Sequence, residues 1–231
     1  MNLNNPNSVF VIIPFYNENT VISEVIESLV PYNYQIVLVD DGSAKSPIDF
    51  LKDIHSVYFL HHKVNLGQGA AIQTGIDFAL RKGAELLVTF DADGQHLASD
   101  IQSLLEPLQN KEADICIASR FLEKGKHNAT KGRKITLKAG RWVNYFFTGL
   151  FLSDAHNGLR AMNRIAAKKI RLKENRMAHA SEFLIAIKKN KLRYKEIPAS
   201  VVYSDYSRKK GQSVFSSVRI FFDLVLHKLF E

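Results

Sequence analysis

The stretch Leu86-Leu-Val-Thr-Phe90, followed at once by Asp91-Ala-Asp93-Gly94, is the segment of the chain that says most about its fold. A short, continuous apolar run of this kind is typical of a strand that is buried on both faces of a parallel sheet. Two carboxylates stand directly after it, where the chain leaves the strand. The segment therefore predicts an α/β fold with functional side chains at the carboxyl end of a strand.

The same alternation of apolar run and helical pattern recurs through the first half of the chain. Strands are predicted at residues 9–13, 36–39, 57–60 and 115–118, and amphipathic helices at residues 19–30 and 68–82. This order predicts a mostly parallel central sheet with helices on both faces. Polar clusters after Ile13, Val39 and Phe90 then meet at one edge of the sheet, where ligands bind in such folds.

The pattern changes after Arg120. Residues 121–134 are polar and contain glycines, which predicts a loop. Further helices are predicted at residues 135–150, 163–171 and 179–190, and further strands at residues 192–197 and 199–203. We interpret residues 1–203 as one domain with two parts, 1–119 and 120–203, followed by a C-terminal segment at residues 204–231.

The composition bounds the class of protein. A chain of 231 residues with 46% hydrophobic residues suits one α/β domain and excludes a disordered or collagen-like chain. A single cysteine, Cys116, excludes an internal disulfide framework. We expect neither a secretory signal nor a membrane-spanning segment, because no suitable apolar run occurs.

The net charge of +8 is unevenly divided between the two parts of the chain. Residues 1–119 carry a net charge of −9, whereas residues 120–231 carry +17. An even excess of basic residues would favour nucleic acid as the partner, and this division does not. It favours a metal in the acidic part and an anionic partner or an anionic membrane face for the basic part. The alternative is that solvated surface lysines cluster late in the chain.

Paired carboxylates are the clearest chemical signal in the sequence. Asp91 and Asp93 can point into one crevice at a strand end, and such oxygen ligands suit Mg²⁺ or Mn²⁺ bridging to a diphosphate. The alternative for Asp93 is a helix N-cap. Asp40 and Asp41 end another strand, and their alternative is an Asp-Gly turn. Two such pairs in one sheet favour the functional interpretation.

A glycine-containing turn, Asn65-Leu-Gly67-Gln-Gly69, opens the helix predicted at residues 68–82. It resembles a phosphate-binding turn, because the first amides of a helix attract anions. Its spacing matches neither of the common nucleotide-binding glycine patterns, so a plain helix start is the alternative.

Four motifs together resemble a known family. They occur in the order Pro14-Phe-Tyr16-Asn17-Glu18, Val39-Asp40-Asp41-Gly42-Ser43, Asn65-Leu-Gly67-Gln-Gly69 and Asp91-Ala-Asp93-Gly94-Gln95-His96. This set is similar to that of family-2 glycosyltransferases of the GT-A fold, in particular those like dolichyl-phosphate mannose synthase and bacterial polyprenyl-phosphate glycosyltransferases. Ala118-Ser-Arg120 and the segment from Asp154 to Met162 are similar to further segments of that group, so the resemblance covers residues 9–203.

The resemblance implies a Rossmann-like nucleotide-binding half, residues 1–119, that binds a UDP- or GDP-linked sugar as donor, and an acceptor bound by residues 120–203. The implied nucleotide-sugar contacts are Pro14, Tyr16, Glu18, Asp41, Gln68 and Asp91, with Asp41 near the base or ribose. The implied metal ligands are Asp91, Asp93 and Gln95, and Arg120 is implied to anchor the diphosphate or the acceptor phosphate. The sequence departs from the group at Gln68, where lysine is frequent, and lacks the membrane-spanning hairpins of many bacterial relatives.

The chemistry of sugar transfer assigns the remaining candidate roles. A cation held by Asp91 and Asp93 would neutralise the leaving diphosphate, so Asp93 and Arg120 are candidate catalytic residues. A hydroxyl acceptor needs a general base, and Asp154 and Glu182 are the candidates. A phosphate acceptor needs positioning instead, and Arg133, Lys134, Arg160 and Arg208 are the candidate contacts. The phosphate acceptor is favoured, and transfer to a hydroxyl of a lipid-linked or surface glycan is the alternative.

Residues 213–231 have the pattern of an amphipathic helix and follow the basic cluster Arg208-Lys209-Lys210. This combination is typical of segments that lie in a membrane interface, which predicts a peripheral protein on the cytoplasmic face. A helix packed on the sheet, a homodimer contact or a small membrane-protein partner are the alternatives. Two other classes of protein were considered. A nucleotide-dependent oxidoreductase leaves the motif after the first strand unexplained, and a non-catalytic basic module leaves the Asp91-Asp93 pair unexplained.

Overall fold

Seven strands of the described residues form one central sheet. The computed structural model describes residues 8–18, 21–44, 57–122, 142, 145, 149–150, 152–155, 157–175 and 178–202. The strands are β1 (Val9–Phe15), β2 (Gln35–Asp40), β3 (Val57–His61), β4 (Leu86–Thr89), β5 (Ile115–Ser119), β6 (Arg160–Asn163) and β7 (Tyr194–Pro198). The helices are α1 (Ile22–Leu29), α2 (Gln68–Arg81), α3 (Asp100–Gln109), α4 (Arg164–Lys169) and α5 (His179–Lys189), and a 3₁₀ turn (Val30–Tyr32) follows α1.

The strand order is β3-β2-β1-β4-β6-β5-β7. Strand β6 runs antiparallel to β4 and β5, whereas every other pairing is parallel. The register places Arg160, the first residue of β6, beside Thr89 and Ile117. Because β6 is antiparallel to β4 and β5, its first residue lies at the edge of the sheet where β4 and β5 end.

Helices cover both faces of the sheet. Val11 and Ile13 of β1 belong to the core under α1 and α3, whereas Phe10 and Ile12 belong to the core under α2, α4 and α5. Every residue of β1 is buried, as expected for a strand covered on both faces. The predicted α/β class with a mostly parallel sheet is confirmed.

Most predicted elements are present, with shifted bounds. The strand predicted at residues 199–203 is wrong for the residues described there, where Val201 makes a single bridge to His96. The run containing Arg160 is a strand, and its antiparallel insertion between β4 and β5 was not expected. The helix predicted at residues 135–150 and the segment 204–231 lie almost entirely outside the described residues. Strands from both predicted parts, 1–119 and 120–203, share the one sheet.

Asp114 ties the start of β5 to its two neighbouring strands. Its carboxylate accepts hydrogen bonds from Arg193 Nε (3.1 Å), Arg193 Nη2 (2.9 Å) and Asn163 Nδ2 (3.1 Å). The hydrogen bonds from the Arg193 side chain are the main reason that the pKa of Asp114 falls to about 2.

We therefore expect a pH-dependent stability contribution from Asp114. Since its pKa is lowered by folding, the contribution is complete above pH ~4, the range of the unfolded carboxyl group, and is lost as the pH falls toward 2. Asp114→Asn should lower the free energy of unfolding at neutral pH, because the neutral amide no longer forms an ion pair with Arg193. The expected loss is only about 1–2 kcal/mol, because the Arg193 side chain is half exposed to solvent. Urea unfolding from pH 7 to pH 2 measures this difference, and a difference that stays constant over that range would contradict the assignment.

Candidate active site

The site lies at the carboxyl edge of the sheet, where the chain leaves β1, β2 and β4 and enters β6. Asp91 and Asp93 follow β4 directly after Phe90. Residues 16–18 follow β1, and Asp41 continues β2 by donating its backbone N–H to Phe15 O. The parallel strands thus bring the predicted polar clusters to one edge, as the sequence indicated.

Asp91 is held from two sides. Gln68 Nε2, on the first residue of α2, donates to Asp91 Oδ1 (3.0 Å), and His96 Nε2 lies 3.2 Å from Asp91 Oδ2. Burial disfavours the charged carboxylate, but the hydrogen bond from His96 and the charges of His96, Arg160 and His179 outweigh it. The pKa of Asp91 is therefore held below its ordinary value, and the group is a carboxylate at neutral pH.

Asp93 has the opposite shift. Burial and the negative charge of Asp91 raise its pKa, and the hydrogen bond that Asp93 Oδ1 accepts from the backbone N–H of Gln95 (3.0 Å) opposes this rise. Two neighbouring carboxylates that repel each other are stabilised by a cation between them, so the donor set fits a hard divalent ion. In the described part of the chain, no group of three or more His, Cys, Asp or Glu side chains lies close enough together to hold a metal ion.

The second acidic pair has internal partners. Asp40 Oδ2 pairs with His61 Nδ1 (3.0 Å), and Asp40 Oδ1 accepts from the backbone of Ser43 (2.9 Å). Asp41 accepts from the amides of Leu66 (3.0 Å) and Gly67 (2.7 Å), which precede α2. Asp41 thus fixes the turn before α2, and Gln68 at the start of that helix contacts Asp91. A contact of Asp41 with a base or ribose stays a prediction.

Arg120 and Asp154 form a buried ion pair. Arg120 Nε donates to Asp154 Oδ2 (2.6 Å) and Arg120 Nη2 to Oδ1 (3.1 Å), while Asn157 Nδ2 also donates to Oδ2 (3.2 Å). Glu196 accepts from the backbone of Ser153 (2.8 Å) and so holds the loop that carries Asp154. Through these contacts Asp154 orients the side chain of Arg120. The role of Asp154 as a general base stays a prediction.

Glu182 lies in the first turn of α5. Both of its carboxylate oxygens accept from the backbone N–H of Lys173 (2.9 and 2.8 Å), and one also accepts from that of Glu174 (2.9 Å). Glu182 therefore fixes the segment that precedes α5. These contacts are structural and do not test a catalytic role. The catalytic role of Glu182 stays a prediction.

The other predicted residues are placed as follows. Pro14 is buried in β1, Tyr16 is 45% exposed at the edge, and the backbone carbonyl of Glu18 accepts from Val21 and Ile22 at the start of α1. Gln95 is half-buried beside Asp93. Arg160 is buried above the ring of Phe183, with its guanidinium carbon 4.7 Å from the ring centre. Arg133, Lys134 and Arg208 lie outside the described residues.

Two residues of the site were missed by sequence reasoning. His96 was quoted as part of a motif, but its bond to Asp91 was not anticipated. Gly158 passes so close to Asp91 that a Cβ atom on it would lie 1.9 Å from Asp91 Oδ2. An Asn-Gly dipeptide before a strand indicates a turn, and only the tertiary structure shows which side chain lies beneath it.

The α/β fold with paired carboxylates at the carboxyl edge of the sheet places the chain among the α/β proteins that bind ligands at that edge. The chain belongs to glycosyltransferase family 2, because the family model described as "Glycosyl transferase family 2" matches residues 10–188. This membership sets aside the oxidoreductase and the non-catalytic module.

Relatives and solved structures agree with this family. The chain is 32% identical to UDP-N-acetylglucosamine–dolichyl-phosphate N-acetylglucosaminyltransferase of Methanococcus voltae, over 96% of each protein. It is also 32% identical to polyprenol monophosphomannose synthase of Mycolicibacterium smegmatis, over 70% of this chain and 64% of that protein. Glucosyl-3-phosphoglycerate synthase of Mycobacterium tuberculosis, solved with Mn²⁺ and UDP, has the same fold, with a TM-score of 0.71 at 13% identity over 97% of this chain and 82% of that one. The predicted GT-A fold and the predicted enzyme class are confirmed.

One structural observation concerns membrane-spanning segments. Of the helices within the described residues, none has the length and apolarity needed to cross a bilayer.

Proposed function

We propose that this enzyme is an inverting, divalent-cation-dependent glycosyltransferase that moves a sugar from a UDP- or GDP-sugar to a polyprenyl phosphate. The observation that carries the proposal is the Asp91-Asp93 pair at the sheet edge of a family-2 chain. Support for the acceptor comes from relatives that are named as dolichyl-phosphate and polyprenol transferases and align over most of this chain.

The donor half of the site is assigned to the edge residues of β1, β2 and β4. Pro14, Tyr16, Glu18 and Asp41 would line the nucleotide pocket. A Mg²⁺ or Mn²⁺ ion held by Asp91, Asp93 and Gln95 would act as a Lewis acid toward the leaving diphosphate. Gln68 and His96 keep the Asp91 carboxylate oriented toward that position, and Asp154 keeps the guanidinium of Arg120 in place for a phosphate.

A phosphate acceptor fits the acid–base groups of the site better than a hydroxyl acceptor does. A phosphate oxygen is already anionic at neutral pH, so it attacks without a general base. The two base candidates, Asp154 and Glu182, are both engaged as acceptors of strong internal hydrogen bonds. We therefore assign the acceptor as a polyprenyl phosphate, with the basic cluster Arg208-Lys209-Lys210 and the helix pattern at residues 213–231 directed to the cytoplasmic membrane surface.

Nucleoside diphosphate release tests the function. Purified protein is incubated with a panel of UDP- and GDP-sugars, with Mg²⁺ or Mn²⁺, in the presence and absence of a short polyprenyl phosphate. We expect release that depends on the lipid phosphate and on the cation, and that names the donor. Release that ignores the lipid would contradict the proposed acceptor.

The role of Glu182 is tested separately. Glu182→Gln should keep the rate of transfer within about threefold of the wild type, because an amide oxygen still accepts from the backbone of residues 173 and 174. Glu112→Gln, at an exposed glutamate that pairs with Lys195, is the matched control. A loss of 100-fold or more in Glu182→Gln, with unchanged donor binding, would indicate a general base and hence a hydroxyl acceptor.

A further inference from the structure

His62, directly after β3, is a largely buried histidine whose two ring nitrogens both have partners. Its side chain is 11% exposed. Nδ1 lies 2.8 Å from Asp41 Oδ1, and Nε2 lies 3.0 Å from the hydroxyl of Thr74 on α2. The arrangement that suits both partners has Nδ1 donating to the carboxylate and Nε2 accepting from the hydroxyl. Among the described residues, His62 supplies the one side-chain hydrogen bond to Asp41, so it orients that carboxylate.

Asp41 in turn holds the segment 63–67, which connects β3 to α2. Its Oδ1 accepts from the backbone N–H of Leu66 (3.0 Å), and its Oδ2 accepts from that of Gly67 (2.7 Å). Gly67 is the residue before α2 and has no side chain with which to cap the helix. The carboxylate of Asp41 is therefore the acceptor for two backbone amides at the point where α2 begins.

The segment 63–67 depends on these hydrogen bonds because it buries little apolar surface. Residues 63–66 are all exposed, with Val64 at 62% and Leu66 at 43%. Its backbone lies tightly against the turn after β2, since a Cβ atom on Gly42 would lie 2.6 Å from the carbonyl carbon of Val64. Burial therefore does not fix the segment, and a shift of Asp41 has to move it.

The next residue carries the effect to the site. Gln68 directly follows the segment 63–67, and its Nε2 donates to Asp91 Oδ1 (3.0 Å). A hydrogen bond of this kind tolerates only a few tenths of an ångström, since N–H···O distances span about 2.7–3.2 Å. A displacement of the segment would therefore break the contact with Asp91.

We propose that His62 is a positioning residue that acts on Asp91 through Asp41 and the segment 63–67. The imidazole holds the Asp41 carboxylate, the carboxylate holds two amides of the segment, and the segment sets the place of Gln68. That this geometry serves sugar transfer rests on the proposed function, in which Asp91 holds the divalent cation.

The neighbouring pair of His61 and Asp40 offers a matched control. It is also a histidine Nδ1 beside a carboxylate, at 3.0 Å, but the His61 side chain is 45% exposed. Asp40 Oδ1 accepts from the backbone of Ser43, and neither residue bonds to the segment 63–67 among the described contacts. Adjacent histidines thus pair with adjacent aspartates, and one pair alone is linked to Gln68.

The first test measures hydrogen exchange of the Leu66 and Gly67 amides by NMR, without substrate or metal. His62→Ala should speed the exchange of both amides by about 10-fold or more, because their acceptor is no longer held in place. His61→Ala should leave both rates within about twofold of the wild type, because its partner does not accept from these amides.

Two conservative variants separate the two contacts of the ring. The side-chain amide nitrogen of His62→Asn stands near the place of Nδ1 and can donate to Asp41, whereas that of His62→Gln stands near the place of Nε2 and reaches Thr74 instead. We expect His62→Asn to restore slow exchange of the Leu66 and Gly67 amides to within about threefold of the wild type, and His62→Gln to resemble His62→Ala.

The second test follows the effect to Asp91 in the release assay. His62→Ala and His62→Gln should need about 5- to 10-fold more Mg²⁺ or Mn²⁺ for half-maximal rate, with the KM of the lipid phosphate unchanged. A general loss of folded protein would lower kcat alone and leave the cation requirement as it is. If the wild type transfers no sugar to any lipid phosphate, the proposed function fails, but the exchange rates still decide whether His62 fixes the segment 63–67.

Several results overturn the proposal. It fails if the Leu66 and Gly67 amides of the wild type exchange as fast as free amides, or if a folded His62→Gln protein matches the wild type in exchange. It also fails if His62→Asn is impaired as much as His62→Gln, since the contact with Asp41 is then not the important one. Faster exchange with an unchanged cation requirement overturns the step from the segment to Asp91. If His62→Ala does not fold, the other two variants decide, with folding established by circular dichroism and thermal melting.

Discussion

Replacing Asp91 by asparagine is expected to reduce the rate of sugar transfer by about 1,000-fold or more, with the fold retained. Asparagine has nearly the same shape and keeps an oxygen for Gln68, but it lacks the charge that would hold the proposed divalent cation. Release of nucleoside diphosphate with Mg²⁺ or Mn²⁺ measures the effect, and thermal melting reports the fold.

The control for Asp91→Asn is Asp77→Asn. Asp77 is an exposed aspartate of α2 that pairs with Arg171, away from the sheet edge. It should retain wild-type turnover and lose little stability, because exposed ion pairs contribute about 0–1 kcal/mol. An Asp91→Asn enzyme that turned over within tenfold of the wild type would exclude a cation at this carboxylate.

The second large effect is expected from a single added methyl group. Gly158→Ala would place a Cβ atom 1.9 Å from Oδ2 and 2.5 Å from Cγ of Asp91, so the carboxylate has to move. A displacement of about 1 Å of a catalytic group can cost on the order of 100-fold in rate. We therefore expect kcat to fall by about 100-fold, and the apparent affinity for the divalent cation to weaken with it.

Gly83→Ala separates this effect from a general loss of stability. No atom lies within 4 Å of a Cβ atom on Gly83, but its φ of +91° is unfavourable for alanine. That variant should lose about 1 kcal/mol of stability and keep its kcat. If Gly158→Ala instead keeps wild-type kcat and cation affinity, Asp91 does not act from the position seen here.

The sequence by itself determined the class of fold and the edge at which the site lies. Buried parallel strands read as continuous apolar runs, and the residues after them must meet at one edge, so the place of Asp91 and Asp93 follows from local pattern. The glycine-containing turn before α2 was likewise readable, because helix starts have local signals. These features depend on neighbours in the chain.

The tertiary structure decided which acids bind distant backbone amides and which stand beside each other at the edge of the sheet. Asp41 and Asp93 look alike in sequence, yet Asp41 accepts from amides 25 and 26 residues away, whereas Asp93 stands beside Asp91. The Arg120–Asp154 pair spans 34 residues, and Gly158 reaches Asp91 only because β6 is inserted antiparallel between β4 and β5. Such contacts depend on the order of the strands in the sheet. The local sequence pattern does not predict that order, because the hydrophobic effect requires only that each apolar face be covered, not that a particular element cover it.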